Sequence, residues 1–469
     1  MKLLIWKLIC LTGLFFLSLQ TSIAQVTDTI YHIRNVEITG NRKTKDFIIT
    51  RELDLVENDT IGSKSLKTRL ERNQQRVYNT RLFVYAKINP TFEGDQVDIE
   101  VEVKENWYIG GGINFKLIDR NFNEWWNERD RDLSRVIYGV SLLHGNFRGR
   151  REKLRLIAQT GFSDRFLINY DIPYLDKNRK TGIQIQAKYR GFKNVAYNTE
   201  GNKLLFTGQQ ENEIKTQLEG LVQLRRRQGF YTTHRLQLTY SLDRVADTLI
   251  SLNPFYHQQG NLTQRFSQLG YVFTYDTRDN VNYPVKGQVI EGYINKRGLL
   301  PTDNVSSFQL GLGGGYYWAL TNRWSMGLVS KFELTFPRNI PFNQMQGIGY
   351  EEEFLRGFDL YVINGTTFGL GKSNIRFKLL DKIIPLKFVP IKQFNKFPLA
   401  GYINFFADAG YSSNRVANRE YQNNLSNQML SSVGVGLDVI ALLNTTLQFN
   451  LSRNSIGQTN LFLNLQKDF

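Results

Sequence analysis

The sequence predicts a β-barrel membrane protein: an antiparallel transmembrane barrel of about sixteen strands, preceded by one small α/β domain. Three observations carry that reading. From Trp107 onward, segments of about ten residues alternate polar and apolar side chains between polar turns, as strands do when one face is wet and the other meets lipid. The composition agrees, with 32 Phe and 23 Tyr in a chain whose mean hydropathy is nevertheless negative. The chain also stops on an alternating apolar strand, Leu461-x-Leu463-x-Leu465, that ends in Phe469.

The first segment reads as an address. Met1–Ala24 sets Lys2 and Lys7 ahead of the apolar stretch Leu8–Leu19, and Thr21-Ser22-Ile23-Ala24 supplies the small residues of a cleavage site before Gln25. That apolar core is too short for a retained spanning helix. Cys10 precedes most of it, whereas a lipidated cysteine would follow it. A mature chain from Gln25 has no cysteine, so disulfides and thiolate metal sites are excluded. No later stretch reaches eighteen consecutive apolar residues, which leaves a soluble chain or a barrel.

Charge divides the remainder near Asn106. Residues 25–106 hold 13 Lys+Arg against 14 Asp+Glu, and residues 107–469 hold 44 against 29. In the first region Tyr31–Ile38 alternates as a strand and ends at the turn signal Gly40-Asn41. Thr44 is placed to cap a helix over Lys45–Leu53, and Ser63 a second over Ser65–Tyr78. Phe83–Asn89 and Val97–Val103 alternate around Glu93-Gly94-Asp95. This β-α-α-β-β order, with Gly40-Asn41, Thr44, Arg51-Glu52-Leu53, Arg69-Leu70 and Leu82-Phe83, resembles a POTRA domain.

In the second region the period is two. Ile183, Ile185 and Ala187 oppose Gln184, Gln186 and Lys188; Leu236, Leu238 and Tyr240 oppose Gln237 and Thr239; Tyr271, Phe273 and Tyr275 share one side. Lys153–Thr160, Phe166–Asp171, Thr446–Leu451 and Leu461–Leu465 continue the pattern. Sixteen strands would each have about 23 residues of strand and loop, a reasonable allotment for spans of about ten. Hydrocarbon requires such a sheet to close, because an open edge leaves backbone groups unpaired. A soluble sandwich or propeller explains neither the aromatics nor the terminal strand.

Three motifs lie in this region. Leu355-Arg356-Gly357-Phe358 sits within Tyr350–Tyr361, Phe406-x-Asp408-x-Gly410 on a later strand, and Tyr275-Asp276-Thr277-Arg278-Asp279-Asn280 leads into Tyr283-Pro284 and Lys286-Gly287. With them the chain resembles the POTRA-plus-barrel proteins of the BamA/TamA type, the bacterial surface antigens, from about Tyr31 to Phe469. The resemblance implies that the loop bearing Arg356 folds back into the lumen and that Arg356 meets Asp408. The chemistry suits this: a guanidinium fork grips a carboxylate bidentately, and Gly357 permits close approach to the wall. Ser373-Asn374-Ile375-Arg376 departs from the family, which commonly has a glutamate where Asn374 stands; Asn374 offers an acceptor without charge, or is simply a polar residue facing the lumen. The ending Leu461, Leu463, Leu465 and Phe469 resembles the sorting strand of outer-membrane barrels, with Lys467 departing from its apolar pattern.

Catalysis is not expected. His32, His144, His234 and His257 form no His-Glu-x-x-His pair, and neither a Gly-x-Ser-x-Gly elbow nor a phosphate-binding Gly-x-x-x-x-Gly-Lys loop occurs. Gly311-x-Gly313-Gly314-Gly315 precedes Tyr316 in strand-like sequence and reads as close strand packing. No metal and no cofactor are expected. The basic balance fits lipid phosphates or a polar lumen, and no nucleic acid, in a secreted barrel. The resemblance implies an outer-membrane factor that assists insertion of other barrels or translocation of a substrate. Its partners would be unfolded outer-membrane clients, periplasmic chaperones and outer-membrane lipid, with the POTRA-like domain in the periplasm. A passive channel, a surface-exposed structural barrel and a two-partner-type secretion pore are the alternatives. N-terminal sequencing of membrane-derived protein should begin at Gln25; finding Met1, or a lipid on Cys10, contradicts the leader.

Overall fold

The computed structural model describes residues 29–117, 125–127, 130–131, 136–161, 163–208, 210, 212–350, 353–385, 396–414, 423–441 and 445–467. The leader Met1–Ala24, Gln25 and Phe469 lie outside the described residues.

The N-terminal domain comprises β1 (Ile30–Thr39), α1 (Asp46–Thr50), β2 (Thr60–Gly62), α2 (Ser63–Tyr78), β3 (Phe83–Glu93) and β4 (Gln96–Glu105), with sheet order β2-β1-β4-β3. β1 and β4 are parallel, with Ile33 opposite Val97 and Ile38 opposite Val101. A parallel pair needs a crossover, and both helices lie in it. Ile33, Val97, Ile99 and Val101 from the strands close on Ile48, Ile49, Leu66 and Val77 from the helices, all buried. Each such side chain contributes about 1.5–3 kcal/mol.

Two local expectations give way here. Neither helix has a side-chain cap: Lys45 precedes α1, and α2 begins at Ser63 behind Gly62. The Thr44 hydroxyl is instead 2.7 Å from that of Tyr108 and accepts from Asn146 Nδ2 at 2.9 Å, so a tertiary network outcompetes the cap. Asn73 of α2 is buried because it holds the loop before β2, accepting from the Asp54 N–H and donating to the Asp54 carboxylate. Burial pushes that carboxyl up, but Asn73 and Arg76 outweigh it and hold it below the usual carboxylate range.

The barrel begins with β5 (Ile109–Leu117), β6 (Val136–Phe147), β7 (Glu152–Gly161), β8 (Ser163–Ile172) and β9 (Thr181–Phe192). A separate hairpin, β10 (Ala196–Glu200) and β11 (Lys203–Phe206), stands in the next loop. The wall resumes with β12 (Lys215–Gln228), β13 (Thr232–Val245), β14 (Thr263–Asp276), β15 (Gly287–Arg297), β16 (Ser307–Ala319) and β17 (Trp324–Phe336). It ends with β18 (Thr367–Pro385), β19 (Lys396–Ser413), β20 (Met429–Ala441), β21 (Thr445–Asn454) and β22 (Thr459–Lys467). These form one antiparallel sheet of 16 strands, each beside its sequence neighbour except that β9 pairs directly with β12. Among the described residues, no ladder joins β22 to β5.

The two faces separate as the period requires. Leu236, Leu238 and Tyr240 point outward, about half exposed. Between them, Gln237 donates to Gln223, Gln223 to Gln184 and Gln184 to Asn169, at 2.7, 3.0 and 2.7 Å. This amide chain crosses β13, β12, β9 and β8 on the lumen side and satisfies its polar groups away from lipid.

The N-terminal domain is fastened to the periplasmic turns. The Lys45 N–H donates to Gly149 O at 3.0 Å, Arg51 Nε to Arg179 O at 2.6 Å, and Asn79 Nδ2 to Arg278 O at 3.1 Å. The buried Glu52 carboxylate accepts both arms of the Arg227 fork at 2.5 and 2.7 Å. Burial drives its carboxyl upward, yet Arg227 dominates and leaves it below the usual range. A depressed carboxyl contributes fully at neutral pH and loses that contribution as pH falls below about 4.

Spin labels on Lys67→Cys and Lys177→Cys should therefore give one narrow distance at pH 7 that broadens on acidification. Glu52→Gln strands the Arg227 cation, costing about 3–5 kcal/mol, and should broaden the distribution already at pH 7. An unchanged narrow distance in Glu52→Gln would show that the pair does not hold the domain.

Candidate functional site

The long loop between β17 and β18 has an apolar interior. Leu355 and Phe358 are fully buried with Ile348, Ile363, Phe368, Leu370, Leu425 and Leu430. Their burial fixes the tip, and the two residues between them are turned onto the barrel wall.

Arg356 spends its whole fork there. Nε donates to Asp408 Oδ2 at 2.7 Å, a terminal nitrogen pairs with Asp408 Oδ1, and the other donates to Asn374 Oδ1 at 2.7 Å. The Phe406 ring lies under the guanidinium, 4.0 Å from its carbon. Backbone groups complete the dock. Ser432 Oγ donates to Arg356 O, and Asn454 Nδ2 donates to Gly357 O at 2.7 Å. Arg356 and Gly357 thus touch four adjacent strands, β18 through β21.

The motif spacing has a physical cause. Residues 406, 408 and 410 share one face of β19: Phe406 supports the cation, Asp408 neutralises it, and Gly410 leaves room for the loop's core. A Cβ on Gly410 would stand 2.8 Å from Ile348 Cδ1. Gly357 has φ +85°, a left-handed backbone, and a Cβ there would stand 3.1 Å from Ser432 Cβ and 3.2 Å from Ser452 Oγ. β18 contributes in the same alternation. The Lys372 ammonium lies 4.2 Å from the Phe354 ring centroid, Asn374 meets Arg356, and Arg376 faces a different partner.

That partner is the turn between β14 and β15. Arg376 donates to Pro284 O at 2.7 Å and stacks 4.3 Å from the Tyr283 ring centroid, while Tyr283 Oη donates to Asp438 Oδ2 at 2.7 Å and its ring lies 4.8 Å from that of Tyr402. The turn folds itself: Asp276 takes the Arg278 fork at 2.6 and 2.9 Å, and Asp279 Oδ1 accepts the Val285 and Lys286 N–H groups, each at 3.1 Å. Sequence reading found this motif but not its docking, since Asp438 stands 155 residues from Tyr283.

Leu355, Arg356, Gly357, Phe358, Asn374, Phe406, Asp408 and Gly410 are therefore gathered in one place. Leu461 and Leu463 lie elsewhere, on β22, with outward side chains 66% and 40% exposed, and Leu465 pairs with Leu447. The arrangement offers a buried ion pair and a braced wall. Among the described residues, no group of three His, Asp or Glu side chains gathers as metal ligands.

Arg356→Ala and Asp408→Ala should each loosen the loop while the barrel still shows heat-modifiable mobility, and their coupling should reach about 2 kcal/mol in a double-mutant cycle of urea unfolding from vesicles. Arg356→Lys should rescue partly, since an ammonium lacks the fork. Additive effects would mean that the two side chains do not act together.

Known proteins carry the same assembly. A model described as the Omp85 superfamily domain matches residues 146–443, and one described as the surface antigen variable number repeat, of POTRA type, matches residues 31–106. "Outer membrane protein assembly factor BamA" of Nitratidesulfovibrio vulgaris is 25% identical over 268 residues, covering 56% of this chain and 29% of that protein. The chain thus spans less than a third of that relative's length. A solved structure of BamA from Haemophilus ducreyi lacking POTRA domains 1-3 is 17% identical with TM-score 0.51, covering 92% of this chain and 83% of that one. CdiB from Escherichia coli is 9% identical with TM-score 0.53, covering 93% and 75%. At such identities the structures speak to fold alone. The superfamily model, however, takes in well over half of the chain, including the strands on which Arg356 docks, and so this chain belongs to the Omp85 superfamily, as an outer-membrane barrel with its POTRA domain in the periplasm.

Proposed function

We propose that the protein assists the insertion of other β-barrels into the outer membrane, by offering strand edges at the junction of β5 and β22. The observation that carries this is the missing β22–β5 ladder among the described residues, beside a wall that the loop clamps from β18 to β21. β5 opens with Ile109-Gly110-Gly111-Gly112, and three consecutive glycines pair weakly because they bring no cross-strand side-chain contacts. An exposed edge accepts a partner strand through main-chain bonds that are indifferent to sequence. No covalent step is needed. In the periplasm β3 lies at the edge of the POTRA sheet and offers a second pairing edge to an unfolded client or a chaperone. Similarity to an assembly factor supports this reading, and that relative's much greater length leaves room for a narrower task.

A second reading is export of a dedicated substrate through the lumen; the barrel shares its fold with CdiB, and export would need the loop and turn segments that fill the lumen from both ends to withdraw. Depletion of the protein followed by a survey of outer-membrane protein levels separates the readings. Broad loss of barrels is expected for assembly. Loss of one exported protein supports secretion instead, and a defect in solute uptake alone supports a channel.

A further inference from the structure

Between the POTRA domain and the periplasmic rim lies a cavity of about 740 Å³, a volume typical of small-ligand sites. Helix α2 forms one side, and the periplasmic ends of β7, β8, β12, β13 and β14 with the β14–β15 turn form the other. Ten Lys or Arg side chains line it against five Asp or Glu. Three of the five carboxylates are committed: Glu52 to Arg227, Asp171 to Arg225 at 3.2 Å, and Asp276 to Arg278 at 2.6 Å. A fourth, Asp279, is taken up by backbone N–H groups of its own turn.

The cations left over are the informative feature. Among the described residues, the side chains of Arg72, Lys153, Lys180 and Lys286 have neither an ion pair nor a hydrogen bond, and Glu71 is the remaining carboxylate on the lining. Two further nitrogens on the lining, Arg76 Nε and Arg235 Nε, are buried without an acceptor. Like charges gathered on one wall repel one another, and Lys153, set deeper than the exposed Arg72, Lys180 and Lys286, also loses hydration, so a ligand that supplies several negative oxygens at short spacing gains from all of them. Guanidinium forks and ammonium groups together match phosphate oxygens. An acidic peptide carries at most one carboxylate per residue, spaced by over 3 Å of rise, and fits so small a space less well.

We propose that this chamber binds a ligand bearing two or more phosphate charges, either free in the periplasm or as the headgroup of an anionic lipid. The site does not depend on the assembly reading. It would tie occupancy of the POTRA–barrel junction to the anion supply on the periplasmic side.

The test uses the full-length protein in maltoside detergent, titrated with sodium pyrophosphate by calorimetry at low salt. One saturable site is expected, weakening as ionic strength rises. The pair Arg72→Gln with Lys153→Gln should bind at least about tenfold more weakly, as loss of two charge-assisted contacts implies. Lys67→Gln with Lys87→Gln removes the same charge from outside the chamber and should bind as wild type. If the first pair fails to show heat-modifiable folding, Lys286→Gln, on a turn, replaces it and should weaken binding severalfold. In nanodiscs, a lower apparent pyrophosphate affinity of wild type with cardiolipin, which carries two phosphate charges, than with pure phosphatidylcholine identifies a lipid source. Equal affinity in the two discs identifies a free one. Absent saturation, equal losses in the chamber and control pairs, or tighter binding of a hexaglutamate peptide than of pyrophosphate would each overturn the proposal.

Discussion

Every backbone N–H and C=O that enters hydrocarbon must find a partner in the protein, and from this single requirement the rest of the molecule follows. Sixteen strands satisfy it by pairing each with its neighbour in the sheet, save at the β22 and β5 edges, where no ladder is seen among the described residues, and curling them encloses a lumen too wide for side chains alone to fill. The wall's inward face is polar because its outward face must be apolar. The protein fills the space with its own polypeptide. One loop enters from the extracellular end and sets the Arg356 cation on Phe406 and Asp408 of β19, and one turn enters from the periplasmic end and sets the Tyr283 ring and Pro284 carbonyl against Arg376 of β18. Both plugs use the same chemistry, a planar cation between a π face and an oxygen acceptor, which tolerates a half-wet interior better than an unpaired carboxylate would.

The bracing is uneven. The loop tip ties β18, β19, β20 and β21 together. The POTRA domain ties the turns after β6, β8 and β14. Between these clamps lies β22, which receives neither, while β5 is held by the POTRA domain at its first end alone, where the Tyr108 hydroxyl donates to Leu82 O at 3.0 Å. A sheet is most easily opened where its rungs are fewest and nothing behind it resists shear, so the weakest line is set by where the two clamps stop. The POTRA domain therefore acts in two ways: its core gives a rigid body, and Glu52 ties that body to the rim through Arg227.

How much of this the sequence disclosed depends on range. Alternation in Arg235–Tyr240 and Gly182–Tyr189 gave the lipid face directly, because lipid contact is decided residue by residue. The Arg356–Asp408 contact was legible through the family resemblance that the two motifs carry, and the chemistry of a guanidinium fork beside a carboxylate suits it. Asn374 was left open between acceptor and bystander, and the geometry makes it an acceptor at 2.7 Å. Thr44 misled: its type and position suit a helix cap, but the hydroxyls and amides of Tyr108 and Asn146 compete for it across the domain boundary, which no local pattern reports. β2 escaped notice because three residues carry no period. The Tyr283–Asp438–Arg376 cluster was hidden for a different reason, since its members come from three segments that only the curling of the sheet brings together.

The charge imbalance illustrates the same point at larger scale. An excess of fifteen positive charges after Asn106 is consistent, as bare sequence, with a polyanion-binding surface, a lipid-facing rim or a polar interior. The structure divides these possibilities by geometry. On β12 the outward residues are Leu218, Val222 and Leu224, while Gln217, Glu219, Gln223, Arg225 and Arg227 alternate with them on the lumen side. Charge of one sign is tolerable there when carboxylates such as Glu219, 2.8 Å from Lys188, interrupt it. Toward the periplasmic end the interruptions thin out, and cations outnumber the carboxylates available to them. Cations concentrated at the inner mouth, rather than spread over an outer surface, raise the local concentration of anions at the junction that the POTRA domain covers.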